Sequence, residues 1–275
     1  MKSDSVMKKK QPNTFHVTNI GVTDIGKKRS SNEDFIYFKK KEKEYINKKE
    51  SLMLVADGMG GHERGAEASK TIIKVIRKHI SSPKLLFNKS KKNITHKTLP
   101  EEINNFYSLV INGVGKANEI LYKRNQQYKL KRYMGSTIVG LILFKNHALW
   151  FHVGDSRLYR YRNSTLELMT TDHSAYEKWL QEGKKGKEPK KNIITKAIGP
   201  YENIKPDITW DTLKENDIYM LCSDGLTNMI SNNEIENILK SDKDITCAVK
   251  KLLNSSNAAG GKDNISIILC KVQKS

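Results

Sequence analysis

A chain of 275 residues with 37% hydrophobic and 29% charged residues has the composition of a soluble globular protein large enough to bury a substantial core. No apolar run approaches the ~20 residues of a membrane helix, and residues 1–13 carry Lys8, Lys9 and Lys10 without the apolar stretch of a secretory signal, so no membrane partner is expected and 1–13 reads as a disordered lead-in. The net charge of +19 comes from lysines scattered along the whole chain, without zinc-finger spacing, a basic region entering heptads or an aromatic-rich RNA-binding signature, so nucleic acid is not the expected partner.

In chain order, alternating apolar residues place a first strand at 16–24 and, after a polar loop at 26–34, a second at 35–38. Residues 39–50 read as a solvated, charged hairpin connection. The run at 52–56 is too short for a helix, is closed by Asp57, Gly58, Gly60 and Gly61, and reads as a buried strand. Residues 64–80 place Ser69, Ile72, Ile73, Ile76 and Ile80 on one helical stripe. Residues 81–100, rich in lysine and asparagine and bracketed by Pro83 and Pro100, read as a surface insertion. Helical spacing returns at 101–125, weakened by Gly113 and Gly115. Strands are expected at 137–144, 148–153, 158–161, 218–222 and 265–272. Helices are expected at about 176–181, 233–240 and 244–253. No repeat and no linker divides 14–275, which reads as one domain. Cys222, Cys247 and Cys270 lie in apolar segments without metal-site spacing and read as buried, reduced thiols of a cytoplasmic protein.

Four carboxylates recur at strand ends. Asp57 and Asp224 each precede a glycine where an apolar run stops, Asp155 follows Gly154 at the end of another, and Asp263 stands just before the last strand. Strands of one core bring their ends to a common edge. Carboxylates gathered there repel and resist desolvation unless a cation joins them. Oxygen ligands without paired His or Cys favour Mg²⁺ or Mn²⁺ over zinc or copper, and no EF-hand loop points to calcium. Two such ions ~3.5–4 Å apart suit hydrolysis of a phosphate ester, because they share a bridging water, lower its pKa and neutralise phosphoryl oxygens. Arg29, in the loop before Glu33 and Asp34, is the candidate guanidinium for the phosphate.

The strings Arg29-Ser30-Ser31-Asn32-Glu33-Asp34, Val55-Ala56-Asp57-Gly58-Met59-Gly60-Gly61-His62, Gly154-Asp155-Ser156-Arg157, Ser223-Asp224-Gly225-Leu226 and Gly261-Lys262-Asp263-Asn264-Ile265-Ser266 resemble, in order, the motifs of the metal-dependent type 2C serine/threonine protein phosphatases, in the short bacterial form. The resemblance runs from about 22 to 272. It implies an α+β fold, a central antiparallel β-sandwich flanked by helices on both faces, with a flap at about 172–198. It implies hydrolysis of phosphoserine and phosphothreonine on proteins by a hydroxide bridging two Mg²⁺ or Mn²⁺ ions. A cytoplasmic monomer opposing a serine/threonine kinase is expected. By the same resemblance Asp57 bridges the two ions, the Gly58 carbonyl reaches one, and Asp224 and Asp263 bind the other. Glu33 and Asp34 act through metal-bound waters, Asp155 with Asp224 holds a third ion, and Arg29 grips the phosphate.

Three departures stand out. Met59 occupies the place where some relatives carry a histidine general acid, which leaves His62 or a water to protonate the leaving alcohol. Glu188-Pro189 replaces a His-Pro pair in a flap that carries Lys184, Lys185, Lys187, Lys190 and Lys191. Ser136 stands where threonine is usual. The rival reading, a catalytically inactive relative that binds phosphoproteins, predicts a lost metal carboxylate, whereas Asp57, Asp224 and Asp263 are all present.

Overall fold

The computed structural model describes residues 14–60, 63–81, 99–129, 132–242 and 244–274. The expected lead-in at 1–13, residues 82–98 of the expected insertion, and His62 lie outside the described residues. The strands are β1 (Phe15–Asp24), β2 (Phe35–Tyr37), β3 (Glu44–Tyr45), β4 (Ser51–Ala56), β5 (Gly58–Met59), β6 (Gly135–Ser136), β7 (Ile138–Phe144), β8 (His147–Val153), β9 (Arg157–Arg162), β10 (Thr165–Leu168), β11 (Asp207–Thr212), β12 (Ile218–Cys222) and β13 (Ile265–Lys274). One sheet runs β10-β9-β12-β13-β1-β3, the other β11-β8-β7-β4-β2, and β5 with β6 forms a small separate ladder. The pairings are antiparallel.

The two sheets face each other because their strands are apolar on both sides with a period of two. In β4, Met53 and Val55 enter the layer between the sheets, while Leu52, Leu54 and Ala56 enter the outer layer. That outer layer is closed by α1 (Glu63–Ile80) and α2 (Glu101–Tyr128). In β13, Ile268, Cys270 and Val272 face the other sheet. Ile265, Ile267 and Leu269 face α5 (Asn232–Ser241) and α6 (Ile245–Ala258) on the opposite flank. The result is the expected layering of helix, sheet, sheet, helix. A one-residue slip in β4 or β13 would exchange the two apolar layers, so packing fixes where each strand stops. Two short helices complete the set: α3 (Ala175–Gln181) and α4 (Asp224–Thr227). Ser174 caps α3 by accepting from the Glu177 amide, and Ser231 caps α5 by accepting from the Glu234 amide.

Several expectations need correction. Residues 39–50 are not merely a solvated connection: β3 pairs with β1, and Glu44 is buried with Ser51 Oγ donating to its carboxylate at 2.6 Å. β10 and β11 were not anticipated, being short, edge-placed and rich in polar residues. α2 is continuous through Gly113, where a Cβ would stand 3.3 Å from His79 Cβ and 3.5 Å from Ile76 Cα, so the glycine permits close approach of α1. Cys222 and Cys270 are buried thiols, but Cys247 is exposed, because it falls off the α6 stripe formed by Ile245, Ala248, Val249 and Leu252.

Candidate metal centre

Register brings the acidic strand ends together. Cys222, the last residue of β12, pairs with Ile267 of β13 and with Arg157, the first residue of β9. Asp224, Asp263 and Asp155 therefore leave one sheet at the same edge. In the facing sheet Ala56 pairs with Phe35, so Asp57 and Asp34 emerge side by side.

Local hydrogen bonds hold each of them. Asp57 N–H donates to Thr137 Oγ1 (3.1 Å), and Thr137 N–H returns a bond to the Asp57 carbonyl (2.9 Å). Gly58 N–H donates to the Glu33 carbonyl (3.2 Å), and a Cβ on Gly58 would collide with the backbone carbonyls of Gly65 and Glu33. The glycine is thus required by close backbone approach. The Glu33 carboxylate packs against Gly65 in the first turn of α1, where the helix dipole favours a negative charge. Asp34 Oδ2 accepts from Ser223 Oγ (2.8 Å), which in turn accepts from Ser266 N–H (3.0 Å). Asp224 Oδ2 accepts from Asn228 Nδ2 (3.0 Å).

Three of the cluster's carboxylates each keep one oxygen unsatisfied. Asp34 Oδ1, Asp155 Oδ1 and Asp224 Oδ1 are buried and have no hydrogen-bond partner among the described residues. An orphaned buried acceptor costs roughly 1–3 kcal/mol, so three in one cluster are a liability unless a ligand meets them. Burial raises the pKa of Asp34 to about 7, with Asp224 and Asp263 adding to the rise. Burial likewise raises Asp155 to about 7, with Asp224 and then Asp172 contributing. Asp57 is pushed well above the carboxylate range by burial and by Asp34, Asp224, Asp155 and Asp263, and Asp224 is raised by burial and Asp263. Asp57 and Asp224 keep part of their surface open, but the surrounding protein removes most of their hydration. An all-oxygen donor set with orphaned, mutually repelling carboxylates fits a hard divalent cation such as Mg²⁺ or Mn²⁺.

A pH dependence follows. Asp34 and Asp155 titrate at about 7 in the metal-free fold, against ~3.9 in an unfolded chain. Between pH 8 and 6.5 the fold therefore takes up protons that the unfolded chain does not. Its stability rises on acidification by about 1–2 kcal/mol for the two groups together. Below 6.5 the imidazoles of buried His152 and half-buried His173, whose pKa values desolvation lowers, act in the opposite direction, because the unfolded chain protonates first. In EDTA the Tm should peak at mildly acidic pH, and Mn²⁺ should flatten the limb between 6.5 and 8. A Tm in EDTA that climbs from pH 6.5 to 8 would refute the assignment of these carboxyls.

Arg29 stands at the rim of the cluster, its Nη2 2.6 Å from Asp263 Oδ2, with side-chain exposures of 52% and 32%. An ion pair this exposed is worth about 0–1 kcal/mol, so the guanidinium is free to exchange Asp263 for a phosphate at little cost. Sequence reasoning named every one of these charged groups but missed their supports, Thr137, Ser223 and Asn264. Asn264 lies inside a recognised motif, yet its role is visible only in three dimensions: Oδ1 accepts from Glu33 N–H, and Nδ2 donates to the carbonyls of Ile25 and Ser31. His62 lies outside the described residues. Also missed was a second group of ligand-type side chains. His152, His173 and Asp207 are the one such trio among the described residues whose ligand atoms all lie within 4.8 Å of one another.

A sequence model of the family described as protein phosphatase 2C matches residues 25–270. The serine/threonine phosphatase stp of Listeria welshimeri is 34% identical over 253 residues, covering 90% of this chain and 92% of its own. The solved serine/threonine phosphatase of S. agalactiae superposes with a TM-score of 0.77 at 30% identity, covering 93% of this chain and 98% of its own. The catalytic domain of the serine/threonine protein phosphatase PstP, solved in complex with two manganese ions, superposes with a TM-score of 0.75 at 24% identity over 94% of this chain and 100% of its own, a likeness of fold.

Proposed function

The chain belongs to the protein phosphatase 2C family, and on that premise we propose that Asp57, the Gly58 carbonyl, Asp224 and Asp263 hold two divalent ions while Arg29 holds the phosphate. The activity itself is that of a bacterial-type, metal-dependent protein serine/threonine phosphatase acting on phosphorylated proteins. Glu33 and Asp34 would contact the ions through water, and Asp155 with Asp224 would hold a third. Mg²⁺ or Mn²⁺ bound there supplies positive charge for the phosphoryl oxygens and an activated water.

The remaining work is done by the chain. Arg29 presents a planar, two-donor fork matched to phosphate from a loop that Asn264 closes. Ser223 keeps Asp34 turned toward the cluster. Thr137 fixes the backbone from which Asp57 projects. The single observation that supports the assignment most is the set of orphaned oxygens on Asp34, Asp155 and Asp224, carried by the ends of two facing sheets.

The test is hydrolysis of a phosphothreonine peptide with Mn²⁺, with and without EDTA. Turnover that depends on the ion is expected, and equal rates in EDTA would overturn the assignment. Arg29→Ala is expected to raise KM for the phosphopeptide about tenfold or more with a smaller change in kcat, as for loss of a charge-assisted contact made in the ground state. An unchanged KM would remove Arg29 from the phosphate site.

Three further elements belong to the same proposal. Cys222, Cys247 and Cys270 are free thiols, which supports a reducing, cytoplasmic setting. The exposed large apolar side chains, among them Tyr45, Tyr128 and Tyr201, are scattered over separate elements, which supports a monomer, checked by light scattering. A serine/threonine kinase would supply the phosphorylated substrate.

A further inference from the structure

His173, in the loop between β10 and α3, grips Gly154 by both of its backbone polar groups. The His173 N–H donates to the Gly154 carbonyl at 2.9 Å, and the Gly154 N–H donates to His173 Nδ1 at 3.0 Å. An amide N–H can only donate, so Nδ1 is the lone-pair nitrogen of a neutral ring and the proton sits on Nε2. That Nε2–H faces Asp207 Oδ2 at 3.3 Å. The ring is stacked on His152 with centroids 4.6 Å apart and planes 8° from parallel. His152 is itself held by its Nε2 against the Thr171 carbonyl at 2.8 Å.

The trio His152, His173 and Asp207 offers ligand atoms at metal-binding range, but two observations speak against an ion there. His173 Nε2 carries the proton, and the Lys196 ammonium already sits on Asp207 Oδ1 at 2.8 Å. The group is a latch held together by hydrogen bonds and a resident lysine. What it latches is informative. Gly154 has φ of +106° and lies so close to Thr137 that a Cβ would stand 2.7 Å from the Thr137 Cβ. Thr137 is the residue that holds the Asp57 backbone. Gly154 is thus wedged between His173 and Thr137, and the next residue is Asp155, whose Oδ1 is buried without a partner.

We propose that His173 is a positioning residue for the Asp155 carboxylate: through the Gly154 amide it ties the loop leading into α3 to the point from which Asp155 projects. This rests on the reading of Asp155 as an ion ligand given above. Loosening the clamp should weaken the ion that depends on Asp155 and leave the pair centred on Asp57 intact.

The experiment compares His173→Phe with His173→Asn in the Mn²⁺-loaded protein. Phenylalanine keeps the ring but removes the acceptor, whereas asparagine places Oδ1 near the position of Nδ1. Two readouts are taken: amide hydrogen exchange at Gly154, and Mn²⁺ binding by calorimetry. His173→Phe should speed exchange at Gly154 and weaken the lowest-affinity Mn²⁺ by roughly tenfold, the scale of a lost buried hydrogen bond. His173→Asn should stay within about threefold of wild type in both. Wild-type exchange and binding in His173→Phe, or an equal loss in His173→Asn, would overturn the proposal. Should His173→Phe fold poorly, Asp207→Ala removes the acceptor of the Nε2–H at an exposed position. It should speed exchange at Gly154 by a smaller factor, and unchanged exchange would count against the clamp. If the wild type and Asp155→Asn take up the same Mn²⁺, the reading of Asp155 fails instead, and the exchange comparison still decides the clamp.

Discussion

Asp57→Asn is expected to lower kcat on a phosphothreonine peptide at least a thousandfold while raising the Tm of the metal-free protein. The first effect follows from the place proposed for the carboxylate. Its negative charge is what two cations would share, and an amide of the same shape removes that charge while leaving the packing of β4 and the Thr137 bonds in place. A thousandfold corresponds to about 4 kcal/mol of lost transition-state stabilisation. The second effect has the opposite sign and comes from the same surroundings. Without a cation, burial and four neighbouring carboxylates oppose ionisation of Asp57. A neutral amide avoids that cost, so stability should rise by about 1–2 kcal/mol, at the lower end of what removing an unfavourable buried charge yields. Thermal melts in EDTA and turnover in Mn²⁺ measure the two quantities on one sample. An active variant, or one destabilised in EDTA, would show that Asp57 is a structural acid and not an ion ligand. Ser223→Ala gives a useful contrast, since it strips the hydroxyl from Asp34 Oδ2 and should cost stability as well as activity.

The candidate site was legible in the sequence while much of its support was not. An apolar run cut short by Asp-Gly is a local signal. At Asp57 and Asp224 it reports a strand end, a charged group at the rim and a sharp turn of the chain. The structure adds a second reason for the glycines, because a Cβ on Gly58 or Gly225 would strike the backbone carbonyls of Gly65 or Asn264. Helical periodicity was equally legible for α1, whose buried stripe falls at the expected residues. β10 and β11 carried no such signal. Their stability comes from pairing with β9 and β8, and Asp207, Thr209 and Asp211 lie among their exposed or half-exposed positions, so composition reads as loop. Cys247 shows the reverse error, an apolar neighbourhood read as burial where the helical phase turns the side chain outward. The α+β sandwich itself rested on the ordered motifs. The alternation in β4 and β13 now supplies its physical reason, since each strand feeds one apolar layer on either side.

Asn264→Ala should destabilise the protein by about 3 kcal/mol, the sum of partial losses from one donor and two acceptors left to find water. The side chain is buried and makes three bonds: Oδ1 accepts from Glu33 N–H at 2.8 Å, and Nδ2 donates to the carbonyls of Ile25 and Ser31 at 2.9 Å each. For a protein of this size the Tm should fall by roughly 6–12 °C. The consequence for catalysis follows from where those groups lie. Ile25, Ser31 and Glu33 bracket the loop that carries Arg29, and Asn264 is the residue after Asp263, which Arg29 contacts. Asn264 thus sets the distance between the proposed phosphate fork and the proposed ion ligands with one amide. Its removal should raise KM for the phosphopeptide, and the rise should largely vanish in an Arg29→Ala background, because both changes then act through the same guanidinium. Asn264→Asp, which keeps the acceptor for Glu33 N–H but loses the two donors, should fall between wild type and alanine in Tm. Additive effects of Asn264→Ala and Arg29→Ala on KM would show that the asparagine supports the fold alone, and a Tm within 2 °C of wild type would show that water replaces it without loss.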